Sequence, residues 1–252
     1  MIRCVTVLAI GLGTPAAAAG DRQSGYEIMG PELRAMQDDE AANPGMLWVT
    51  EGAALWVAPE GAANRSCASC HGDAAQSMAG VAARYPAWNE AGQGPIDLTG
   101  RIGLCRTRHQ GAAALARDSR ALVALAAFVT RQSDGLPIAP DPDPRLAATR
   151  EKGKALFETR MGQLNLACAD CHDDAAGGQL AAATIPQGHP TGYPQYRLQW
   201  EGMGGLHRRF ENCMSGVRAE PFGAGSPEYI ALEAFLMSRA AGLPVEAPAV
   251  RP

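Results

Sequence analysis

RSCASCHGDA (residues 65–74) and LACADCHDDA (residues 166–175) each contain Cys-x-x-Cys-His, and the two copies stand 101 residues apart in a chain of 252. Two thiols three residues apart share one helical turn, where both can add to the vinyl groups of one haem while the adjacent imidazole lies beneath the iron. The spacing predicts Cys67, Cys70 and His71 around one covalently bound haem c, and Cys168, Cys171 and His172 around a second. A zinc site would need paired ligands elsewhere, and a thioredoxin-like motif has no use for the histidine.

Outward from the motifs the halves continue to match. ALAAFVTRQSDGLP (124–137) aligns with ALEAFLMSRAAGLP (231–244) at seven of fourteen positions, and Cys105 meets Cys213 at an offset of 108. Each half reads as the motif, a lone cysteine, then a helix ending in Gly-Leu-Pro, which is the signature of a duplicated fold. Leu122, Leu125, Ala126 and Val129 recur as one apolar helix face. Ser226-Pro227-Glu228 supplies an N-cap, a proline at the first helical position and an acidic first turn, with Gly242 placed to end that helix. Residues 147–160 and 48–58 read as helices ahead of the two motifs, and 30–45 as a short surface helix and turn. No stretch alternates as a strand would, so the expected fold is all-α, two tandem cytochrome c-like domains. The proline-dense stretch DGLPIAPDPDPRL breaks regular structure. The expected division is therefore 21–135, a linker at 136–146, and 147–252.

The opening residues place one arginine before a short apolar run that ends in Ala-x-Ala, which predicts a secretory signal over 1–20 cleaved near Ala19. That run is too short to span a bilayer, no later segment reaches spanning length, and Cys4 would leave with the signal. The expected compartment is the periplasm. A net charge of −4, with no Lys/Arg run, excludes a nucleic-acid or polybasic membrane surface.

Each iron needs a second axial ligand. Met78 and His109 follow the first motif, and His189, Met203, His207, Met214 and Met237 the second, at unmatched positions. Cys105 and Cys213 do match, and thiolate is a competent haem ligand. Their alternative is a disulfide, which an exported chain favours but which two separate haems would hold out of reach. His109 and His207 read as polar-face histidines, and Met203 and Met214 as packing residues. Arg209 precedes Cys213 by four residues, which puts both on one helix face and suits a sulfur oxoanion. Arg101 precedes Cys105 by the same four, so the arginine could equally hold a haem propionate or cover a surface.

The stretches GAALWVAPEGAANRSCASCHGD, LCRTR, RMGQLNLACADCH and HRRFENC, followed by VRAEPFGAGSPEYIALEAFL, resemble the dihaem SoxA subunits of the SoxAX cytochromes of bacterial thiosulfate oxidation. The likeness is weakest around Cys105. It implies His71/Cys105 and His172/Cys213 as the axial pairs, Cys213 as a persulfide-carrying active-site residue, and Arg209 as the residue that positions thiosulfate. It implies a heterodimer with a SoxX-like monohaem cytochrome c, a SoxYZ-type carrier whose cysteine thiol receives thiosulfate, and an acceptor cytochrome c for two electrons. The activity so implied is an L-cysteine S-thiosulfotransferase. Rival expectations are a thiosulfate dehydrogenase forming tetrathionate, a plain dihaem electron-transfer cytochrome and, further off, a dihaem peroxidase.

Overall fold

The computed structural model describes residues 22–181 and 183–252. The predicted signal, its cleavage point and Cys4 lie outside the described residues.

The helices are α1 (Pro31–Asp38), α2 (Met46–Val57), α3 (Ala68–His71), α4 (Ala74–Ser77), α5 (Leu98–Cys105), α6 (Arg120–Arg131), α7 (Ala147–Glu158), α8 (Cys168–His172), α9 (Leu206–Gly216) and α10 (Pro227–Arg239). The expected helix signals are where they should be. Ser119 caps α6 and Ser226 caps α10, each hydroxyl accepting the backbone N–H three residues on. Leu122, Leu125, Ala126 and Val129 are all buried.

In each half two long helices cross, α2 on α6 and α7 on α10, and a glycine makes the crossing possible. A methyl group on Gly52 would lie 2.1 Å from the Ala124 carbonyl oxygen, and one on Gly153 would lie 1.9 Å from that of Ala231. Only hydrogen leaves room for backbone approach this close. The crossings set Trp56 and Phe157 into their cores, at 6% and 1% exposure, each directly under a motif histidine.

Strand structure exists, in pieces of two or three residues. β1 (Ala87–Asn89) pairs antiparallel with β2 (Gly94–Ile96), β3 (Gln179–Leu180) with β4 (Ala183–Thr184), and β5 (Gln195–Arg197) with β6 (Gly202–Gly204). β7 (Val250–Arg251) runs parallel to β5. Pieces this short cannot display a two-residue period, which is why the sequence shows none. The fold remains mostly helical, two duplicated cytochrome c-like units with little sheet.

The two halves are interlocked. Ile138, inside the proline-rich stretch, is 2% exposed and packs with Met237 and Val245. Its N–H donates to the Leu243 carbonyl, and its own carbonyl accepts from Gly242. The chain ends also cross over: the Arg22 guanidinium donates to the carbonyls of Arg239 and Ala241, and the Asn43 amide to that of Pro248. The proline-rich tail is built in likewise, with Ala249 and Val250 fully buried.

His207 departs from expectation. It is 6% exposed rather than on a polar face, because the first turn of α9 packs against α10 and the first half. Its Nδ1 accepts the Gly225 N–H at 3.0 Å and its Nε2 lies 3.0 Å from the Glu233 carboxylate. Asp97, the N-cap of α5 and the ion-pair partner of Arg117, completes the cluster. The helices that carry Cys105 and Cys213 thus begin at one shared polar knot.

Candidate haem sites

Both motifs adopt the predicted helical turn. In the first half Ser66 and Ser69 exchange hydrogen bonds to start α3; in the second the Asp170 carboxylate accepts the Ala167 N–H at 2.9 Å. In each case a side chain three residues in satisfies a donor that the helix start leaves open.

The first site is a cavity of about 370 Å³ faced by Cys67, Cys70, His71 and Cys105. The second has two lobes of about 330 and 400 Å³ that share Cys168, His172, Arg209 and Cys213. No disulfide joins any of the described cysteines. Cys105 and Cys213 face different cavities, so the disulfide alternative finds no support in the fold.

The donor set fits haem c. Each cavity offers two thiols on one turn, an imidazole after them, and a third thiol from another helix. His172 is prepared most clearly. Its Nδ1–H donates to the Pro186 carbonyl at 2.7 Å, which leaves the Nε2 lone pair available to a metal. Burial, above all, pushes its pKa down; the Pro186 carbonyl opposes this and the guanidinium groups of Arg209 and Arg239 add to it. The imidazole therefore stays neutral, the form that binds iron. His71 is exposed and leans on Trp56 at 5.7 Å between ring centroids, and the Trp56 indole N–H donates to the Gly72 carbonyl.

The thiols are raised, as burial requires. Burial lifts the Cys168 pKa to about 11, with Cys213 adding to the rise. It also raises Cys105, where Arg101 opposes and Cys70 adds, and Cys67, where Arg106 opposes and Cys105 adds. Each lone cysteine thus interacts with the motif thiols of its own half.

Beside each lone cysteine stand an arginine and a tyrosine. Tyr85 and Arg101 line the first cavity with Cys105, and burial raises the Tyr85 hydroxyl, with Arg101 opposing. Tyr193 occupies the equivalent place by Arg209 and Cys213; burial lifts it to about 12, Arg209 opposing and Cys213 adding. Arg209 and Cys213 sit on α9 and line the same cavity, as their four-residue spacing predicts.

Of the remaining ligand candidates, Met78, His109, His189 and Met214 also line these cavities, whereas Met203 and Met237 do not. Met78 is buried with Trp56 and Val129, Met203 packs with Val49 and Val123, and Met237 with Ile138. The Met214 sulfur accepts the Tyr229 hydroxyl at 3.4 Å, and His189 Nδ1 donates to the Gln23 carbonyl at 2.8 Å. His109 is exposed at the rim of the first cavity.

Two features escaped the sequence reading. Seven residues more separate His172 from Tyr193 than His71 from Tyr85, and this insertion supplies the Pro186 carbonyl and one wall of the second cavity. A π turn, Arg106–Gln110, follows Cys105, whereas α9 continues as α-helix beyond Cys213. That one extra residue is why the offset falls from 108 at the cysteines to 107 beyond them.

Comparison with known proteins agrees with this architecture. The family described as SoxA/TsdA, cytochrome c domain, matches residues 51–138 and 152–245, one segment per half. The chain is 44% identical to the L-cysteine S-thiosulfotransferase subunit SoxA of Pseudaminobacter salicylatoxidans, over 90% of this chain and 80% of that one. It is 38% identical to the protein of the same name from Rhodovulum sulfidophilum, over 91% and 80%. The crystal structure of SoxXA from P. pantotrophus superposes with a TM-score of 0.88 at 35% identity, covering 92% of this chain and 87% of that one. Its cofactor is accordingly haem c, and the chain belongs to the SoxA/TsdA family of cytochrome c-domain proteins.

Proposed function

We propose that this chain is the SoxA-type subunit of a periplasmic L-cysteine S-thiosulfotransferase that carries two covalent haem c groups. The haem units are 21–135 and 147–252, joined through 136–146. His71 and Cys105 would hold the first iron and His172 and Cys213 the second, with Cys67/Cys70 and Cys168/Cys171 as the thioether anchors. The likeness to the L-cysteine S-thiosulfotransferase subunits supports the activity, and the likeness to SoxXA supports a SoxX-like monohaem cytochrome c as the partner subunit. Among the described residues no helix is long and apolar enough to cross a membrane.

One observation carries the reading: His172, Cys213 and Arg209 converge on a single cavity. The reaction joins the outer sulfur of thiosulfate to a cysteine thiol of a SoxYZ-type carrier. One S–S bond forms, the thiol proton is released, and two electrons pass to an acceptor cytochrome c. Covalent haem supplies the one-electron centres that such a reaction needs. The chain's own residues do the rest. The Arg209 guanidinium binds the sulfonate end of the anion, which turns the outer sulfur toward Cys213. Cys213 carries a persulfide, formed before turnover when its thiolate takes the outer sulfur of one thiosulfate and sulfite leaves, and the Pro186 carbonyl keeps the His172 ring aligned.

The experiment compares Cys213→Met with the wild-type complex, supplied with thiosulfate, carrier and acceptor. Loss of carrier conjugate is expected. Tetrathionate made by the wild type without carrier would support a thiosulfate dehydrogenase instead. Reduction of the partner cytochrome that survives Cys213→Met, with no conjugate made by the wild type, would support a plain electron-transfer cytochrome.

A further inference from the structure

The halves share a tyrosine, an arginine and a lone cysteine at each candidate site, but they differ at one equivalent strand position beside them. The offset of 108 that relates Tyr85 to Tyr193 and Cys105 to Cys213 also maps β1 onto β5 and β2 onto β6. At that offset Asn89, the last residue of β1, corresponds to Arg197, the last residue of β5.

Arg197 lines the cavity that Arg209 and Cys213 line. Its Nε is buried and has no hydrogen-bond partner, and its guanidinium lies 5.3 Å from the Trp200 ring centroid. Among the described residues neither Arg197 nor Arg209 forms an ion pair, whereas Arg251 nearby is matched by Glu246. Two half-buried, unneutralised guanidinium groups in one cavity repel each other. Burial lowers the pKa of Arg197, and the charge of Arg209 lowers it further. An anion of charge two would relieve both. A haem propionate is the competing occupant. Arg65, Arg84 and Arg101 line the first cavity without an ion-pair partner among the described residues, yet at the position equivalent to Arg197 that half places the neutral Asn89, so the haem potentials below separate the two occupants.

We propose that Arg197 is a second substrate-binding residue, which acts with Arg209 to make the cavity beside Cys213 selective for doubly charged sulfur oxoanions. This rests on the reading of Arg209 and Cys213 as the substrate site.

The test uses the holo complex with Arg197→Gln, Arg197→Lys and Arg209→Gln. Four quantities are read: KM and kcat for thiosulfate, inhibition by sulfate against nitrate, calorimetric binding of sulfate to the resting protein, and the haem potentials. Arg197→Gln should raise KM about 10- to 100-fold, as loss of a charged hydrogen bond does, and weaken sulfate binding by a similar factor. Nitrate inhibition and the haem potentials should not move, and Arg197→Lys should recover part of the loss. An unchanged KM and sulfate affinity would overturn the proposal, and a shifted haem potential alongside them would assign Arg197 to a propionate. If Arg209→Gln also leaves KM and sulfate affinity unchanged, the substrate site itself is misplaced; if Arg209→Gln weakens both and Arg197→Gln does not, only the role of Arg197 fails.

Discussion

The two halves are built on one plan and differ where the chemistry is. Both cross two helices on a glycine, stack an aromatic ring under a motif histidine, and bring a lone cysteine, with its tyrosine and arginine, to the same cavity. The first half has the neutral Asn89 where the second has Arg197, and a π turn follows Cys105. The second inserts a segment that fixes His172 through Pro186, and adds Arg197 beside an Arg209 with no carboxylate partner. On the proposed reading the shared parts hold haem, and Arg197 with Arg209 makes a place for an anion.

The sharpest way to break this contrast is to change the same cysteine in each half. Cys213→Met should lower turnover by about 10³-fold or more, as removal of a reacting group does. Cys105→Met should leave carrier conjugation within about tenfold of wild type, since the resemblance gives that ligand no substrate role. Conjugation assays on both variants decide it, and equal losses would mean that the halves are not specialised.

Next in size is a change that should treat the halves alike. Gly52→Ala and Gly153→Ala each force a methyl group against a carbonyl oxygen, and each should cost about 3 kcal/mol in denaturant unfolding. A tolerated substitution would show that the crossing has room the structure does not.

Arg209→Gln against Arg101→Gln comes third. Loss of a charged hydrogen bond should raise the thiosulfate KM about 10- to 100-fold for Arg209. For Arg101 the KM should stay within about twofold, because Arg101 lines the other cavity, away from Cys213.

The smallest effect concerns the knot between the halves. Burial raises the Glu233 pKa; Asp97 adds to the rise, and His207 and Arg117 oppose it. A raised carboxyl is most favourable to the fold below its unfolded value near 4.5, and that contribution is lost as pH rises through the folded value. Glu233→Gln, which stays neutral, should therefore gain on wild type with rising pH, by about 2–4 °C in Tm at pH 8 and by nothing at pH 4.5. A constant difference across that range would contradict it.

Much of this was legible in the sequence. The motifs, their duplication, the capping serines and the spacing of Arg209 from Cys213 act over a few residues, so local pattern reveals them. Offset arithmetic reaches further than it was first taken: Gly52 and Gly153 lie 101 apart, Asn89 and Arg197 lie 108 apart, and the fall from 108 to 107 marks the π turn. What the sequence hides is contact between distant segments. Nothing local says that the Pro186 carbonyl meets His172, that His207 is buried, or that Ile138 and the tail are structural. Those depend on which surfaces the fold brings together.

The most direct test of the specialisation is mass spectrometry of two peptides from the same sample, after the holo complex has been incubated with thiosulfate in the absence of carrier. The peptide holding Cys213 should carry about 32 Da of added sulfur and the peptide holding Cys105 none. Added sulfur on Cys105 instead, or a crosslink joining Cys105 to Cys213, would contradict the account.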